Sequence, residues 1–216
     1  MELLSKRYSK GEEIANSITH GIGILFSIVA LTILLVFAIT KRSPLAITAF
    51  SIYGLGSICL YTSSTLYHSF RKESLKRLFR IFDHSSIFIY IAGTYTPIAL
   101  LALTGYWRIG ILAGAWVIAI SGIVYKAISM TKLKQQKIVS LLIYIGMGWI
   151  SVIAFKPMTE VVSIEFFYWL LAGGLVYTVG ALIYAIKKIP FNHAIWHGFV
   201  LAGSVVHFLA IFLYLS

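Results

Sequence analysis

Charged side chains are scarce in this chain. Only 12% of its 216 residues are Asp, Glu, Lys or Arg, whereas 59% are hydrophobic. A soluble domain carries roughly 25% charged residues, so this composition excludes an ordinary water-soluble fold. It predicts instead a polytopic membrane protein built from apolar helices.

Cysteine and acidic residues are scarce as well. The single cysteine, Cys59, has no second cysteine to pair with, which excludes a disulfide within the chain. Only seven acidic residues oppose 18 Lys and Arg, and the formal net charge is +11. We attribute this excess to membrane topology and to attraction toward anionic lipid headgroups. Because the sequence contains no soluble module to carry such an interface, no nucleic-acid partner is expected.

Seven hydrophobic stretches are long enough to cross a bilayer. Each lies in or near the range of about 17–25 residues that a hydrocarbon layer about 30 Å thick requires, and none contains Lys, Arg, Asp or Glu. The connections are short, so we predict an all-α, seven-transmembrane helix bundle that forms one domain over residues 1–216, with a short N-terminal segment at 1–17. The predicted spans are Ile18–Ile39, Leu45–Tyr67, Ser85–Leu103, Ile109–Tyr125, Ile138–Phe155, Phe166–Ile186 and Ala194–Leu215.

The basic residues predict the orientation. With seven spans the two termini lie on opposite sides, and 14 of the 18 Lys and Arg fall on the side of the N-terminus. Because positively charged connections stay in the cytoplasm, we expect the N-terminus there and Ser216 outside, in a multi-pass protein of the cell (plasma) membrane. The 14 cations are Lys6, Arg7, Lys10, Arg71, Lys72, Lys76, Arg77, Arg80, Lys126, Lys132, Lys134, Lys137, Lys187 and Lys188.

Ionisable residues gather at the same predicted membrane face. His193 and His197 are four residues apart, which places both imidazoles on one side of a helix at the spacing that can bind one zinc ion. His68 closes the second span and Asp83 opens the third, so topology brings both to the depth of the histidine pair. Ionisable groups at membrane depth are costly, and their convergence predicts a functional metal site. The alternative for His193 and His197 is a pair of wetted, hydrogen-bonded interfacial histidines.

Three motifs give the chain a specific resemblance to a known family. They are Glu12-x3-Asn16-x3-His20, then Ser64-x3-His68 followed by Asp83, and finally His193-x3-His197. With these motifs in this order over essentially its whole length, the chain resembles the hemolysin III-like branch of the progestin and adiponectin receptor family, which is grouped with the alkaline ceramidases. The long N-terminal domain of the adiponectin receptors has no counterpart here, so hormone binding is not expected.

The resemblance implies a zinc ion inside the bundle, near its cytoplasmic side, held by His68, His193 and His197. Three neutral imidazoles leave a fourth position open to water, as in catalytic zinc sites, and zinc can lower the pKa of that water to about 7. Asp83 would act there as general base and partial counter-charge. Ser64 would hydrogen-bond a substrate carbonyl or hold Asp83. Imidazole also suits iron, copper and nickel, so the residues alone do not select the metal.

The leading functional hypothesis is a zinc-dependent hydrolase of a lipid amide or ester. A pore-forming hemolysin is one alternative, although a pore needs polar stripes along whole helices and here the polar residues cluster at one end. A receptor or membrane-state sensor with a structural zinc ion is the other alternative. Membrane lipids are the expected partners, and nothing in the residues selects one substrate or an oligomeric state.

The remaining polar residues have weaker interpretations. Glu12, Asn16 and His20 step by four along one helix face. By the resemblance they belong to the family signature, with no assigned chemistry, and the alternative is a polar stripe that bonds to the basic second loop. His84 is interpreted as an interfacial histidine and His207 as a hydrogen-bonded packing residue.

Overall fold

The computed structural model describes residues 8–129, 136–186 and 188–216. Every regular element in these ranges is helical, and seven helical segments are long and apolar enough to cross a membrane. The predicted all-α, seven-span class is therefore confirmed. Some cations used to predict the orientation lie outside the described residues, namely Lys6, Arg7, Lys132, Lys134 and Lys187.

The described residues form eight α-helices and one 3-10 segment. The fifth membrane span is built from α5, the 3-10 segment Ile150–Ala154 and α6, and the other spans are single helices. The helices are α1 (Lys10–Thr40), α2 (Pro44–Ser69), α3 (Glu73–Ala102), α4 (Gly105–Ser129), α5 (Gln136–Gly148), α6 (Phe155–Thr159), α7 (Ile164–Ala185) and α8 (Asn192–Leu215).

Helix starts follow local capping chemistry rather than the limits of the apolar stretches. α1 already begins at Lys10 because Ser9 caps it. The Ser9 side chain accepts a hydrogen bond from the Glu12 backbone N–H, and the Glu12 carboxylate accepts one from the Ser9 N–H. This reciprocal pair satisfies backbone donors that a helix start otherwise leaves open. α2 begins in a similar way, with Ser43 as cap and Pro44 in its first turn, where proline is favoured.

α3 is the most deeply buried span and holds the bundle together. It packs against α2, α4, α5 and α8. α2 approaches it closely at Gly93, where an added Cβ would lie 3.2 Å from the Ile52 carbonyl oxygen. Small residues permit such an approach of two helix backbones in a membrane. The tight α2–α3 pair places the end of α2 beside the early turns of α3, where His68 and Asp83 lie.

The fifth span is interrupted, and a side chain from α3 satisfies the backbone at the break. α5 ends at Gly148, and the 3-10 segment follows from Ile150. The Tyr95 hydroxyl donates to the Gly148 carbonyl oxygen (2.8 Å) and accepts from the Ser151 backbone N–H (3.0 Å). Irregular backbone at membrane depth is tolerated only where the protein itself supplies its hydrogen bonds. Tyr95 supplies two of them.

Alternation of the spans brings several helix termini to one end of the bundle. α1, α3 and α8 begin at this end, and α2 and α4 finish there. Because it carries more of the described cations than the opposite end, we term it the basic end. Its described cations on α1, α3, α4 and the connections are Lys10, Arg71, Lys72, Lys76, Arg77, Arg80, Lys126 and Lys188.

Candidate metal centre

Three histidines from two helices converge at the basic end. His68 lies in the last turn of α2, and His193 and His197 lie in the first turns of α8. Each offers one ring nitrogen, and the three nitrogens lie within 4.8 Å of one another. All three residues are buried. The expected convergence of these imidazoles is present, and together they can hold one metal ion.

The separation of one pair of ring nitrogens fits a tetrahedral ion. His193 Nε2 and His68 Nε2 are 3.2 Å apart. Two nitrogens that bind one tetrahedral zinc ion at about 2.0–2.1 Å lie about 3.3 Å from each other, so this pair already has the required spacing. Imidazole also binds copper, iron and nickel, and the geometry therefore indicates a metal site without selecting the metal.

The second ring nitrogen of His68 is bound by side chains of α1. Glu13 Oε2 lies 2.6 Å from His68 Nδ1, and Glu13 Oε1 forms an ion pair with Lys76. Asn16 Nδ2 is 3.3 Å from the same nitrogen. The shorter contact assigns the proton to Nδ1, which donates to the carboxylate and leaves Nε2 unprotonated toward His193. A carboxylate in this position fixes the ring orientation and raises the basicity of the metal-binding nitrogen.

α1 also orients His197. The Nδ1 atom of His197 lies 3.3 Å from the Asn16 carbonyl oxygen and 3.3 Å from Thr19 Oγ1. The His20 ring stacks on the His197 ring with centroids 3.5 Å apart. A proton on Nδ1 donated to the Asn16 carbonyl leaves Nε2 of His197 for a metal ion. The first helix contributes no ligand of its own to the triad, yet it sets the orientation of two of the three rings.

The connection between α7 and α8 places His193. Phe191 adopts a left-handed backbone with φ of 54° immediately before α8, a conformation that is uncommon for residues other than glycine. The Asn192 side chain donates to the carbonyl oxygens of Tyr184 and Ile186. These hydrogen bonds hold the turn, so that His193 enters the first turn of α8 pointing toward α2.

Asp83 and Ser64 lie beside the triad, but only Asp83 lines the internal cavity. Asp83 is buried, lines the same internal cavity as His193 and His197, and interacts electrostatically with His68. Ser64 faces Asp83 from α2. Its hydroxyl forms no well-aligned hydrogen bond with any described residue, and the residue does not line the cavity. Asp83 therefore has access to a bound molecule, whereas Ser64 can act on one only through Asp83 or after a small shift.

Tyr8 covers the triad from the segment that precedes α1. Its ring stacks on that of His193 with centroids 5.1 Å apart and meets the edge of His68 at 5.8 Å. Burial raises the pKa of the Tyr8 phenol well above its ordinary value. The phenol consequently stays protonated at neutral pH and can donate a hydrogen bond into the site.

Glu13 is the site residue that the motif analysis did not identify. The sequence motif singled out Glu12, but this residue closes the capping box of α1. Asn16 and His20, whose role the motif left open, lie at the site, and both are buried. The spacing of three and then four residues from Glu13 through Asn16 to His20 also places all three on one helix face, so the spacing in the sequence fits either glutamate.

Besides His20, two further histidines, His84 and His207, lie outside the triad. His84 Nδ1 is 3.9 Å from Asp83 Oδ2, so the imidazole flanks the carboxyl group. His207 Nε2 lies 3.2 Å from the Leu170 carbonyl oxygen, and its ring fills the space left by Gly173. This is the environment of a hydrogen-bonded packing histidine.

An internal cavity of about 420 Å³ extends from the triad into the membrane-spanning part of the bundle. Its lining on α3 runs from Arg80 to Ile98, a rise of about 27 Å at 1.5 Å per residue. This is close to the full thickness of the hydrocarbon layer, about 30 Å. The lining is mostly apolar. Its charged side chains lie near Asp83 at the basic end, and uncharged polar groups such as Thr94, Thr178 and His207 occur deeper. The cavity thus has a charged, polar head at the basic end and a long, mostly apolar body.

Comparison with known proteins places this geometry in a family. A family model described as haemolysin-III related matches residues 8–208. The chain is 45% identical over 203 residues to Hemolysin-3 of Bacillus cereus, covering 94% of this chain and 91% of that protein. It is also 45% identical over 203 residues to the Hemolysin-3 homolog of Bacillus subtilis (strain 168), covering 94% of each. The Monocyte to macrophage differentiation factor of Homo sapiens is 31% identical over 210 residues, or 94% of this chain and 84% of that protein. The resemblance seen in the motifs is confirmed, and the chain belongs to the hemolysin III-like family of multi-pass membrane proteins.

Proposed function

We propose that this protein is a zinc-dependent hydrolase that cleaves an amide or ester bond of a membrane lipid. The observation that carries the proposal is the convergence of three buried imidazoles and Asp83 at the polar head of a long apolar cavity. The cation excess of the basic end supports its placement in the cytoplasm. We propose the plasma membrane as the location, in which this orientation would put the cavity head near the inner-leaflet headgroups.

Zinc suits the donor set of the triad. Three neutral imidazole nitrogens would leave one coordination position of a zinc ion for a water molecule or a substrate oxygen. A bound zinc ion would supply a Lewis acid and would lower the pKa of water there to about 7. Glu13 and the Asn16 carbonyl keep the Nδ1 protons of two ligands in place, so their Nε2 atoms can bind a metal ion without a change of tautomer.

Asp83 is the proposed general base. Its carboxylate lines the cavity, so it can accept a proton from water and return it to the leaving amine or alkoxide. Water adds to the carbonyl carbon, the C–N or C–O bond breaks, and the products are a fatty acid and an amine or an alcohol. Tyr8, with its proton retained, can donate a hydrogen bond to the carbonyl oxygen or to the leaving group.

The cavity accounts for a lipid substrate. Its apolar body follows α3 through most of the membrane thickness, which suits a single hydrocarbon chain lying along the bundle axis. A chain in that position would place the first polar bond of the lipid at the triad and would exclude bulk water from the reacting groups.

The test is hydrolysis by the purified, zinc-loaded protein. Lipids with an amide-linked acyl chain and lipids with ester-linked acyl chains are incubated separately, and released fatty acid is measured by mass spectrometry. We expect release to be lost in His193→Ala and Asp83→Asn and retained in Glu165→Gln, a matched carboxylate change at an exposed position of α7. Release that persists in both site variants would contradict the proposal.

One observation favours a second function, that of a membrane-state sensor in which zinc is structural. α2, which carries His68, packs mainly against α3 and α1, whereas α8, which carries His193 and His197, packs mainly against α7 and α1. A metal ion would therefore link two helices that share little direct contact. Asp83→Asn distinguishes the two functions. A hydrolase should lose turnover, whereas a sensor with structural zinc should keep its thermal stability and show no lipid hydrolysis in either form.

A further inference from the structure

Two cations line the polar head of the cavity, and the hydrolytic chemistry uses neither of them. They are Arg80 and Lys126, and with Asp83 they are the charged side chains among the described lining residues. Positive charge therefore exceeds negative charge at this end of the cavity, even before a metal ion is added.

The fold places both cations at the same depth. Arg80 lies on α3, three residues before Asp83, so the two side chains are neighbours on one helix face. Lys126 lies in the last turn of α4, which runs antiparallel to α3 and finishes at the basic end. Lys126 is only 8% exposed and lines the same cavity as Arg80 and Asp83. Its position in the wall directs a positive charge into the cavity rather than toward bulk water.

Arg80 is available to bind an anion. It is partly buried, and it forms no hydrogen bond or close ion pair with any described residue. Asp83 feels its charge electrostatically but lies beyond ion-pair distance. A guanidinium group presents several donors in a planar fork that matches phosphate oxygens, and a lysine ammonium adds a compact charge. The pair has the chemistry of a phosphate-binding site.

We infer that Arg80 and Lys126 bind the headgroup of an anionic phospholipid whose acyl chain occupies the cavity. This inference rests on the proposed function, which identifies the acyl ester as the bond that is cleaved. With the phosphate at the cations and the chain along α3, the acyl ester lies between them, beside His193 and Asp83. Hydrolysis then adds one water molecule, breaks the acyl C–O bond, and releases a fatty acid and an anionic lysophospholipid.

Binding is measured without turnover, so that a failure of hydrolysis does not obscure the result. The full-length protein is purified in detergent, treated with a chelator, and mixed with phosphatidylglycerol or with phosphatidylcholine carrying the same acyl chains. Bound lipid is counted by native mass spectrometry. We expect at least about tenfold preference for phosphatidylglycerol, since a hydrogen-bonded charge pair is worth roughly 1.5–3 kcal/mol.

Variants test whether the cavity, and not the general basic surface, selects the anion. Arg80→Gln and Lys126→Gln should each reduce the preference about tenfold, and Arg80→Lys should restore part of it. The matched control is Arg77→Gln, which removes the same charge from an exposed position one turn earlier on α3. Should one cavity variant fail to fold, as shown by aggregation on size exclusion, the other carries the test.

Three results would overturn the inference. They are equal binding of the two lipids by the native protein, an equal loss in Arg77→Gln and Arg80→Gln, and full displacement of bound lipid by glycerol 3-phosphate at the same concentration. The last result would show that the cations take a soluble phosphate ester instead of a lipid. If hydrolysis is later established, Arg80→Gln should raise KM for phosphatidylglycerol while kcat stays nearly unchanged, whereas Asp83→Asn should lower kcat.

Discussion

Glu13 Oε2 and His68 Nδ1 lie 2.6 Å apart, and this contact joins the first turns of α1 to the last turn of α2. Lys76 of α3 binds the other carboxylate oxygen. The carboxylate is therefore held from two sides, and charge-assisted hydrogen bonds of this kind are the strong ones in proteins. His68 is oriented by the fold itself, and the tautomer that it needs for binding a metal ion through Nε2 is already selected.

The first prediction concerns zinc affinity. Glu13→Gln removes the charge that holds the His68 proton on Nδ1 but keeps a side chain of similar size. We expect zinc affinity to fall about 10–100-fold, the usual effect of changing a group that orients a metal ligand. Competition against a chromophoric zinc chelator measures this.

The neighbouring glutamate provides the control for that experiment. Glu12→Gln alters the capping box of α1 and leaves the His68 contact intact, so zinc affinity should stay within about twofold of the native value, because the affected helix cap is worth only roughly 1 kcal/mol to folding. Equal affinities in all three proteins would show that Glu13 has no part in metal binding. The comparison also shows which of the two adjacent glutamates affects zinc binding. The sequence motif contains Glu12, whereas the structure places Glu13 at His68.

The second prediction separates chemistry from metal binding. Asp83→Asn keeps the shape of the side chain and removes its ability to accept a proton at neutral pH. Metal content per chain, measured by elemental analysis, should match that of the native protein, while lipid hydrolysis falls about 10²–10⁴-fold, the typical contribution of a general base. A variant that loses its metal as well would make Asp83 part of the binding site instead.

The third prediction concerns thermal stability. A ligand that binds only the folded state stabilises it by about 2.7 kcal/mol when present at 100 times its dissociation constant. Zinc added to chelator-treated protein should therefore raise the unfolding midpoint by several degrees. His68→Ala should show no such rise, because the bridge between α2 and α8 is gone. A midpoint that does not respond to zinc in the native protein would argue against a metal at the triad.

The sequence was sufficient to predict the number of spans and the convergence of the three imidazoles. Both depend on patterns that can be read directly from the sequence. Uncharged apolar stretches of bilayer length give the spans. Because successive spans cross the membrane in opposite directions, they also show which histidines at span ends lie on the same membrane face. The helix starts differ because caps such as Ser9 act outside the apolar stretch. The sequence did not identify Glu13 as the partner of His68, because Glu12 and Glu13 are adjacent and either could face that helix. The start of α1 at Lys10 decides between them, since it assigns Glu12 to the capping box.

Other features depend on contacts between distant parts of the chain. The cavity arises from the way α3 is enclosed by neighbouring helices, and no local pattern at Arg80 or Lys126 reveals that they share it. The break in the fifth span is equally hidden in the sequence. Nothing at Gly148 or Ser151 marks an interruption that is supported by a hydroxyl group from another helix.

The last prediction concerns the Tyr95 hydroxyl group. Tyr95→Phe leaves the ring in place and removes the hydroxyl that pairs with the Gly148 carbonyl and the Ser151 N–H. Each buried polar group left unpaired costs about 1–3 kcal/mol. A change of 1 kcal/mol shifts the midpoint of a chain of this size by about 2–4 °C, so thermal unfolding should begin several degrees earlier. The matched control is Tyr106→Phe, whose ring is 79% exposed and which should unfold like the native protein. If both variants unfold at the native temperature, the break is stabilised by packing alone, and Tyr95 has no special part in holding the fifth span against the cavity.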